Sequence, residues 1–166
     1  DVVVRSDGAV YFTDMTAGLR GGATSPSREL PFTGVYVVKD GQLRLLDKDP
    51  QGANPNGIAL SPDEKILYVN GGRKITRYDV LPDGAVANGR LFMDMTKETA
   101  PGGTDGMRVD QKGNLYCTGP GGIWIMSPDG SRSAEADAAL IGWAVNQLPA
   151  LLNLWAAAQV MVDEDL

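Results

Sequence analysis

Two dipeptides carry the side chains best suited to chemistry in this chain. Asn56-Gly57 and Asp105-Gly106 each place an oxygen-bearing side chain directly before a glycine. Carboxylate and amide oxygens are the ligands that hard cations such as Ca²⁺ prefer. The same residue types also cap glycine-containing turns by bonding to the nearby main chain. The dipeptides alone therefore leave two interpretations open, a metal site or a pair of turn caps.

Each dipeptide opens a stretch of sequence that occurs three times. Residues 56–68, 105–116 and 1–11 each combine an alternating apolar strand, a polar turn and the start of a second strand. Aligned on Tyr11, Tyr68 and Tyr116, the first copy has Asp1 where the other two have glycine. The repeat predicts that Asn56 and Asp105 lie at equivalent positions of successive structural units.

Histidine is absent from the 166 residues, and this excludes several classes of site. Neither a Ser-His-Asp or Cys-His triad nor a histidine-ligated zinc site can be built within the chain. Chemistry would have to use carboxylates, amides, hydroxyls, Lys, Arg or a metal bound through oxygen. The single cysteine, Cys117, lies in a strand pattern, which favours a packing residue over a nucleophile.

The charge balance argues against nucleic acid as a partner. The chain has 15 Lys and Arg against 21 Asp and Glu, a net charge of -6. Phosphate binding requires a clustered cationic surface, which basic residues scattered through turns do not provide. A small neutral or cationic substrate, or a metal ion, suits this charge better.

The arrangement of hairpins predicts the fold. Apolar strands alternate with tight turns, and Asp-Gly turns at Asp40, Asp83 and Asp129 recur at intervals of about 45 residues, each with up to four strands. This period is typical of β-propeller blades. We predict an all-β fold, a partial β-propeller of about three blades over residues 1–49, 50–98 and 99–130.

Residues 131–166 do not continue the strand pattern. Pro149 can begin a helix, and apolar residues recur at helical spacing over 151–162, so an irregular segment followed by an apolar C-terminal helix is expected. Asn146, Asn153 and Gln159 interrupt the apolar stretch, which makes a membrane segment a less favoured interpretation. The chain opens directly on a strand pattern with no signal peptide visible, and its cellular compartment is left open.

Several motifs, in order, resemble those of the SMP-30/gluconolactonase/luciferin-regenerating family. They are DVVVRSDG with YFTD in residues 1–14, PNGIALSPDE in 55–64 and TDGMRVD in 104–110. The resemblance reaches about residue 130 and implies blades of a six-bladed propeller. It also implies an axial divalent metal, usually calcium, with zinc, manganese or magnesium as alternatives. In that family a Glu, two Asn and an Asp bind the metal.

Carried over residue by residue, the resemblance places one Asn ligand on Asn56 and the Asp ligand on Asp105. The other Asn would precede Asp1, and the Glu would lie earlier still, so two of the four ligands are missing from this sequence. Thr104 stands where the family usually has proline. The resemblance implies hydrolysis of a sugar lactone, with Asp105 as the catalytic carboxylate that helps to activate water.

The sequence leaves two other functions open beside lactone hydrolysis. One is a catalytically silent propeller fragment that acts as a binding or assembly module. The other is a carboxyl-ester hydrolase on the same scaffold, distinguished by what a long glycine-rich loop over residues 14–31 admits. This loop is expected to cover the mouth of the channel.

A second copy of the chain is a further expected partner. Fewer than three full blades leave sheet edges unpaired, and exposed edges pair with other strands. A homodimer could complete the propeller and bring two copies of Asn56 and Asp105 near one axis.

Overall fold

The structure is a computed structural model that describes residues 1–48, 50 and 54–132. Its regular elements are almost entirely strands. They are β1 (Val2–Val4), β2 (Val10–Asp14), β3 (Gly34–Lys39), β4 (Gln42–Lys48), β5 (Ile58–Leu60), β6 (Ile66–Gly71), β7 (Lys74–Val80), β8 (Val86–Asp94), β9 (Met107–Val109), β10 (Leu115–Gly119) and β11 (Gly122–Met126). Two short 3₁₀ helices, Thr16–Gly18 and Gly22–Thr24, interrupt the long loop after β2.

The strands form three antiparallel sheets that follow one another along the chain. Sheet 1 has the order β1-β2-β3-β4, sheet 2 the order β5-β6-β7-β8, and sheet 3 the order β9-β10-β11. Neighbours in sequence are neighbours in each sheet, and short turns join them except at the long loop between β2 and β3. The predicted all-β class and partial β-propeller are confirmed. The predicted domain bounds stay a prediction.

Strand β6 shows why the sheets pack face to face. Alternate side chains of a strand point to opposite faces of its sheet. Leu67 and Val69 belong to one apolar cluster with residues of sheet 1, including Tyr11 and Val37. Tyr68 belongs to a second apolar cluster with residues of sheet 3, including Leu115 and Trp124. Sheet 2 is therefore covered on both faces, and its central strand reads as an almost continuous apolar run.

Turn residues have the backbone conformations that their sequence predicts. Asp40 and Gly41 join β3 to β4 with φ values of 51° and 74°. Two consecutive positive φ angles are what a two-residue hairpin with the usual strand twist requires. Gly84, after Asp83, has a φ of 86° in the turn between β7 and β8.

Most turn aspartates use their carboxylates to cap the main chain. In each case the N–H two residues later donates to the carboxylate, an Asx turn. The main-chain N–H of Ala85 lowers the pKa of Asp83, and that of Ser131 lowers the pKa of Asp129. The aspartates that accept such a bond are Asp7, Asp63, Asp83, Asp94, Asp110 and Asp129.

The three repeat tyrosines do not share one environment. Tyr11 and Tyr68 are fully buried, as expected of core residues, because each is covered by the following sheet. Tyr116 is only half-buried and donates a hydrogen bond to Asp110. It lies on the face of β10 opposite to Leu115 and Cys117, and the described residues include no further sheet there. Tyr116 therefore belongs to neither apolar cluster, unlike Tyr11 and Tyr68.

The predicted C-terminal helix lies outside the described residues. Within the part of the chain that the structure describes, none of the helices has the length and apolar character needed to cross a membrane.

Leu67 provides a test of the packing between sheets 1 and 2. Leu67→Ala removes a fully buried side chain from β6 and should lower the free energy of unfolding by about 2–5 kcal/mol. Leu91→Ala, in β8 of the same sheet, removes a side chain that is 55% exposed and should change it by less than about 0.5 kcal/mol. Urea denaturation measures both, and equal losses would contradict the face-to-face packing.

Candidate functional site

The innermost strands of the three sheets meet at one cleft. Strand β5 contacts both β1 and β9, so the residues that lead into these three strands are brought together. The cleft has a volume of about 620 Å³. The residues that line it are Asp1, Asn56, Asp105, Gly106, Met107, Arg108, Tyr116, Cys117, Thr118 and Ile123. Both sequence-predicted site residues, Asn56 and Asp105, are among them.

Equivalent main-chain hydrogen bonds confirm the alignment of the three repeats. The N–H of Asn70 donates to the carbonyl of Gly57 at 3.0 Å. In the same way, Thr13 donates to Asp1 at 3.0 Å and Thr118 donates to Gly106 at 3.2 Å. Asp1 therefore stands at the glycine position of its repeat. Asn56 and Asp105 each precede that position in their own repeats.

The side chains of Asn56 and Asp105 do not act as turn caps. Neither the Asn56 amide nor the Asp105 carboxylate makes a hydrogen bond or ion pair within residues 1–48, 50 and 54–132. The turn aspartates, by contrast, bond to main-chain N–H groups two residues later. The turn-cap interpretation that the dipeptides left open therefore does not describe these two side chains. Their oxygens remain available to a ligand in the cleft.

Asn70 is a residue of this region that sequence reasoning missed. It lies at the end of β6, is 1% exposed, and uses both ends of its amide. Its Oδ1 accepts from the N–H of Gly57 at 3.0 Å, and its Nδ2 donates to the carbonyl of Asp105 at 2.6 Å. One signal was available: a polar residue follows the repeat tyrosine by two positions in every copy, as Thr13, Asn70 and Thr118.

Gly57 is needed because another main chain lies against it. A Cβ atom at Gly57 would lie 2.1 Å from the carbonyl oxygen of Asp105 and 2.6 Å from Nδ2 of Asn70. Gly106 occupies the same position in the next repeat, and a Cβ there would meet nothing within 4 Å. The requirement for glycine at position 57 therefore comes from the contact between sheets 2 and 3, not from the repeat position itself or from a positive φ.

Cys117 lies at the cleft wall, but its thiol is buried. Burial raises the pKa of the thiol to about 12, and the side chain is 1% exposed. The Nδ2 of Asn70 lies 3.4 Å from its sulfur atom. The thiol is therefore protonated at neutral pH, in agreement with the prediction that Cys117 is a packing residue rather than a nucleophile.

Oxygen atoms dominate the donors that the cleft offers to a metal. Asp1 also lines the cleft, and its Oδ2 lies 3.9 Å from Nη1 of Arg108 and accepts from the N–H of Ile58 at 3.3 Å. Among the described residues, no group of three or more Cys, Asp or Glu side chains could hold a metal ion. By donor type, the amide oxygen of Asn56 and the carboxylate of Asp105 fit a hard divalent cation.

The loop over residues 14–31 borders a separate cleft. That cleft has a volume of about 520 Å³ and is lined by residues of the loop, including Thr16, Leu19 and Arg28, together with Phe32. The hydroxyl of Thr16 donates to Oδ1 of Asn54, which ties the loop to the segment that leads to Asn56. No residue of the loop lines the cleft that contains Asp105. The expectation that the loop covers the channel mouth stays a prediction.

Related sequences cover most of the chain. The family profile described as the SMP-30/gluconolactonase/LRE-like region matches residues 1–141. A gluconolactonase from Zymomonas mobilis is 37% identical over 139 residues, which are 78% of this chain and 38% of that protein. The chain thus spans well under half the length of this relative.

Solved structures share the arrangement of the three sheets. A gluconolactonase from Xanthomonas campestris matches with a TM-score of 0.65 and 34% identity, over 80% of this chain and 44% of that one. A calcium-binding regucalcin from Agrobacterium tumefaciens matches with a TM-score of 0.64 and 24% identity, over 81% of this chain and 43% of that one. At this lower identity the regucalcin shows the fold alone.

Gly57 and Gly106 form a matched pair for testing the inter-sheet contact. Gly57→Ala should lower the free energy of unfolding by about 1–3 kcal/mol or more, because the new methyl group overlaps the Asp105 carbonyl. Gly106→Ala should change it by less than about 0.5 kcal/mol, because its methyl group meets open space. Chemical denaturation measures the free energy of unfolding of both variants. A well-tolerated alanine at 57 would mean that the two main chains do not approach as closely as described.

Thiol labelling tests the burial of Cys117. With a pKa of about 12, roughly one Cys117 thiol in 10⁴ is ionised at about pH 8. Iodoacetamide should therefore react with the native protein more than about 100-fold more slowly than with free cysteine. The same protein unfolded in urea should react readily and serves as the control. Native labelling at the rate of free cysteine would show that the thiol is exposed.

Proposed function

Because the chain belongs to the SMP-30/gluconolactonase/LRE-like family, we propose that it contributes the catalytic cleft of a metal-dependent sugar lactonase. One observation supports this most directly. Asn56 and Asp105, which occupy equivalent repeat positions, line the same cleft with side-chain oxygens that are free of bonds to the described residues. The gluconolactonases from Zymomonas mobilis and Xanthomonas campestris support the reaction class.

Asn56 and Asp105 are the residues that would hold the metal in this chain. Their amide and carboxylate oxygens suit Ca²⁺ best, and Mg²⁺, Mn²⁺ or Zn²⁺ could use the same donors. The regucalcin from Agrobacterium tumefaciens, a protein of the same fold, is calcium-binding, which supports calcium as the first cation to test. A divalent cation bound there supplies Lewis-acid polarisation of the lactone carbonyl.

Asp105 is proposed as the base that activates water. Its carboxylate is exposed on the cleft and makes no hydrogen bond to the described residues, so it can accept a proton. As the proton moves to Asp105, the water oxygen bonds to the lactone carbonyl carbon. The ring C–O bond then breaks, and the proton passes to the leaving ring oxygen. The product is an open-chain hydroxy acid, with atoms and charge balanced.

The remaining cleft residues suit a compact, polar substrate. A volume of about 620 Å³ lies in the range of small-molecule sites. Tyr116 and Ile123 provide an aromatic and apolar wall, while Arg108 and Thr118 provide hydrogen-bond donors. A sugar lactone has a ring that can pack against the apolar wall and hydroxyl groups that can form hydrogen bonds with the donors.

The homodimer expected from the sequence is not tested by these contacts and stays a prediction.

Asp105→Asn tests both proposed roles of the carboxylate while keeping its shape. Hydrolysis of a sugar lactone such as gluconolactone should fall by about 10²-fold or more, because the base and the charged ligand are lost together. Asp129→Asn is the control, because Asp129 lies in a turn and caps the main chain of Ser131. Acid release measures turnover, and titration calorimetry measures calcium affinity.

The same measurements separate the alternative functions. Calcium binding without turnover of any lactone would favour the binding or assembly module. Faster turnover of acyclic esters than of lactones would favour the carboxyl-ester hydrolase. Full activity of Asp105→Asn with unaltered calcium dependence would overturn the assignment of Asp105.

A further inference from the structure

The two candidate ligand residues are bonded in the same unusual way to the sheet that precedes them. The hydroxyl of Thr13, in sheet 1, donates to the main-chain carbonyl of Asn56 at 2.6 Å. The Nδ2 of Asn70, in sheet 2, donates to the main-chain carbonyl of Asp105 at 2.6 Å. Thr13 and Asn70 occupy the same repeat position, two residues after Tyr11 and Tyr68. Two different side chains therefore make one equivalent bond, each to a candidate ligand in the next sheet.

Both donors are buried and make further hydrogen bonds. Thr13 is buried, and its hydroxyl also accepts a hydrogen bond from the main-chain nitrogen of Asp1 at 2.9 Å. Asn70 is fully buried, with its Oδ1 occupied by the N–H of Gly57. On the other side, the main-chain N–H of Asp105 donates to the hydroxyl of Thr118 at 2.9 Å. The peptide groups on both sides of the Asp105 Cα are thus fixed, which sets the direction of its side chain.

From this geometry we infer that Thr13 and Asn70 are positioning residues of the candidate site. Each holds the backbone of one ligand residue so that the Asn56 and Asp105 oxygens are preorganised in the cleft before anything binds. Partners that orient ligands in this way strongly affect metal affinity. The assignment of the bound cation rests on the proposed function. The positioning of the backbone does not.

The chain itself suggests the matched variants. Asn70→Thr installs the residue that the first and third repeats carry at this position, and it keeps a hydroxyl donor. Asn70→Val has nearly the same shape as threonine but has no donor. Thr76→Val is a control, since Thr76 is a buried threonine of the same sheet that does not line the cleft. For Asn56, Thr13→Ser keeps the hydroxyl donor and Thr13→Val removes it. This pair tests the positioning role if Asn70→Val does not fold.

Two measurements on the whole chain test the inference. Titration with calcium should give Asn70→Val an affinity about 10- to 100-fold weaker than wild type, with Asn70→Thr recovering most of the loss. Amide hydrogen exchange, measured without calcium, should show the Asp105 N–H exchanging at least about tenfold faster in Asn70→Val than in Asn70→Thr. Thr76→Val should match wild type in calcium affinity and in the exchange rate of the Asp105 N–H.

The outcomes distinguish this inference from the proposed function. If Asn70→Val and Asn70→Thr agree in the exchange of Asp105 and in calcium affinity, the positioning role is wrong. If the wild-type protein binds no calcium, the metal site of the proposed function fails, and the exchange experiment alone decides the positioning role. A loss of thermal stability shared by both variants, without a difference in exchange, would reduce Asn70 to a structural residue.

Discussion

The hydrogen bond from the Asn70 side chain to the main-chain carbonyl of Asp105 is the contact on which the candidate site depends. It crosses from sheet 2 to sheet 3 where Gly57 allows two main chains to approach closely. Because Asn70 is buried, breaking this bond would leave polar groups without partners in an apolar setting, which is strongly unfavourable. The contact therefore requires the inner strands to pack at a fixed separation. The cleft lies where these inner strands meet, so its shape depends on that separation.

Apolar packing supplies the stability that this polar contact needs. Two clusters lie on opposite faces of sheet 2, one shared with sheet 1 and one shared with sheet 3. Each cluster joins strands that are distant in sequence, so the three sheets depend on one another rather than folding as independent hairpins. Tyr78 belongs to the first cluster and donates to Asp47 of sheet 1 at 2.6 Å. Burial raises the pKa of its hydroxyl, which stays protonated as a donor.

The carboxylates of this acidic chain fall into two groups with different physical roles. Those in hairpin turns, such as Asp83 and Asp129, accept main-chain hydrogen bonds that lower their pKa values and stabilise the turns. The carboxylate of Asp105 has no such partner among the described residues and lies exposed on the cleft. A carboxylate that the fold positions through its main chain but leaves unpaired at its side chain is suited to binding a ligand or moving a proton.

The sequence by itself determined the local structure and the equivalence of the repeats. Alternating apolar residues and Asp-Gly turns specify strands and hairpins through short-range sterics, so the predicted all-β pattern of hairpins is present. The aligned positions of Asp1, Gly57 and Gly106 make equivalent hydrogen bonds. The roles of Asn70 and Tyr116 could not be predicted from the local sequence pattern. An asparagine at a strand end and a tyrosine in a strand look alike in sequence whether or not another sheet covers them. Only the packing of sheet 3 against sheet 2 buries Asn70 against Asp105 and leaves Tyr116 facing the cleft, because burial depends on neighbours from distant parts of the chain.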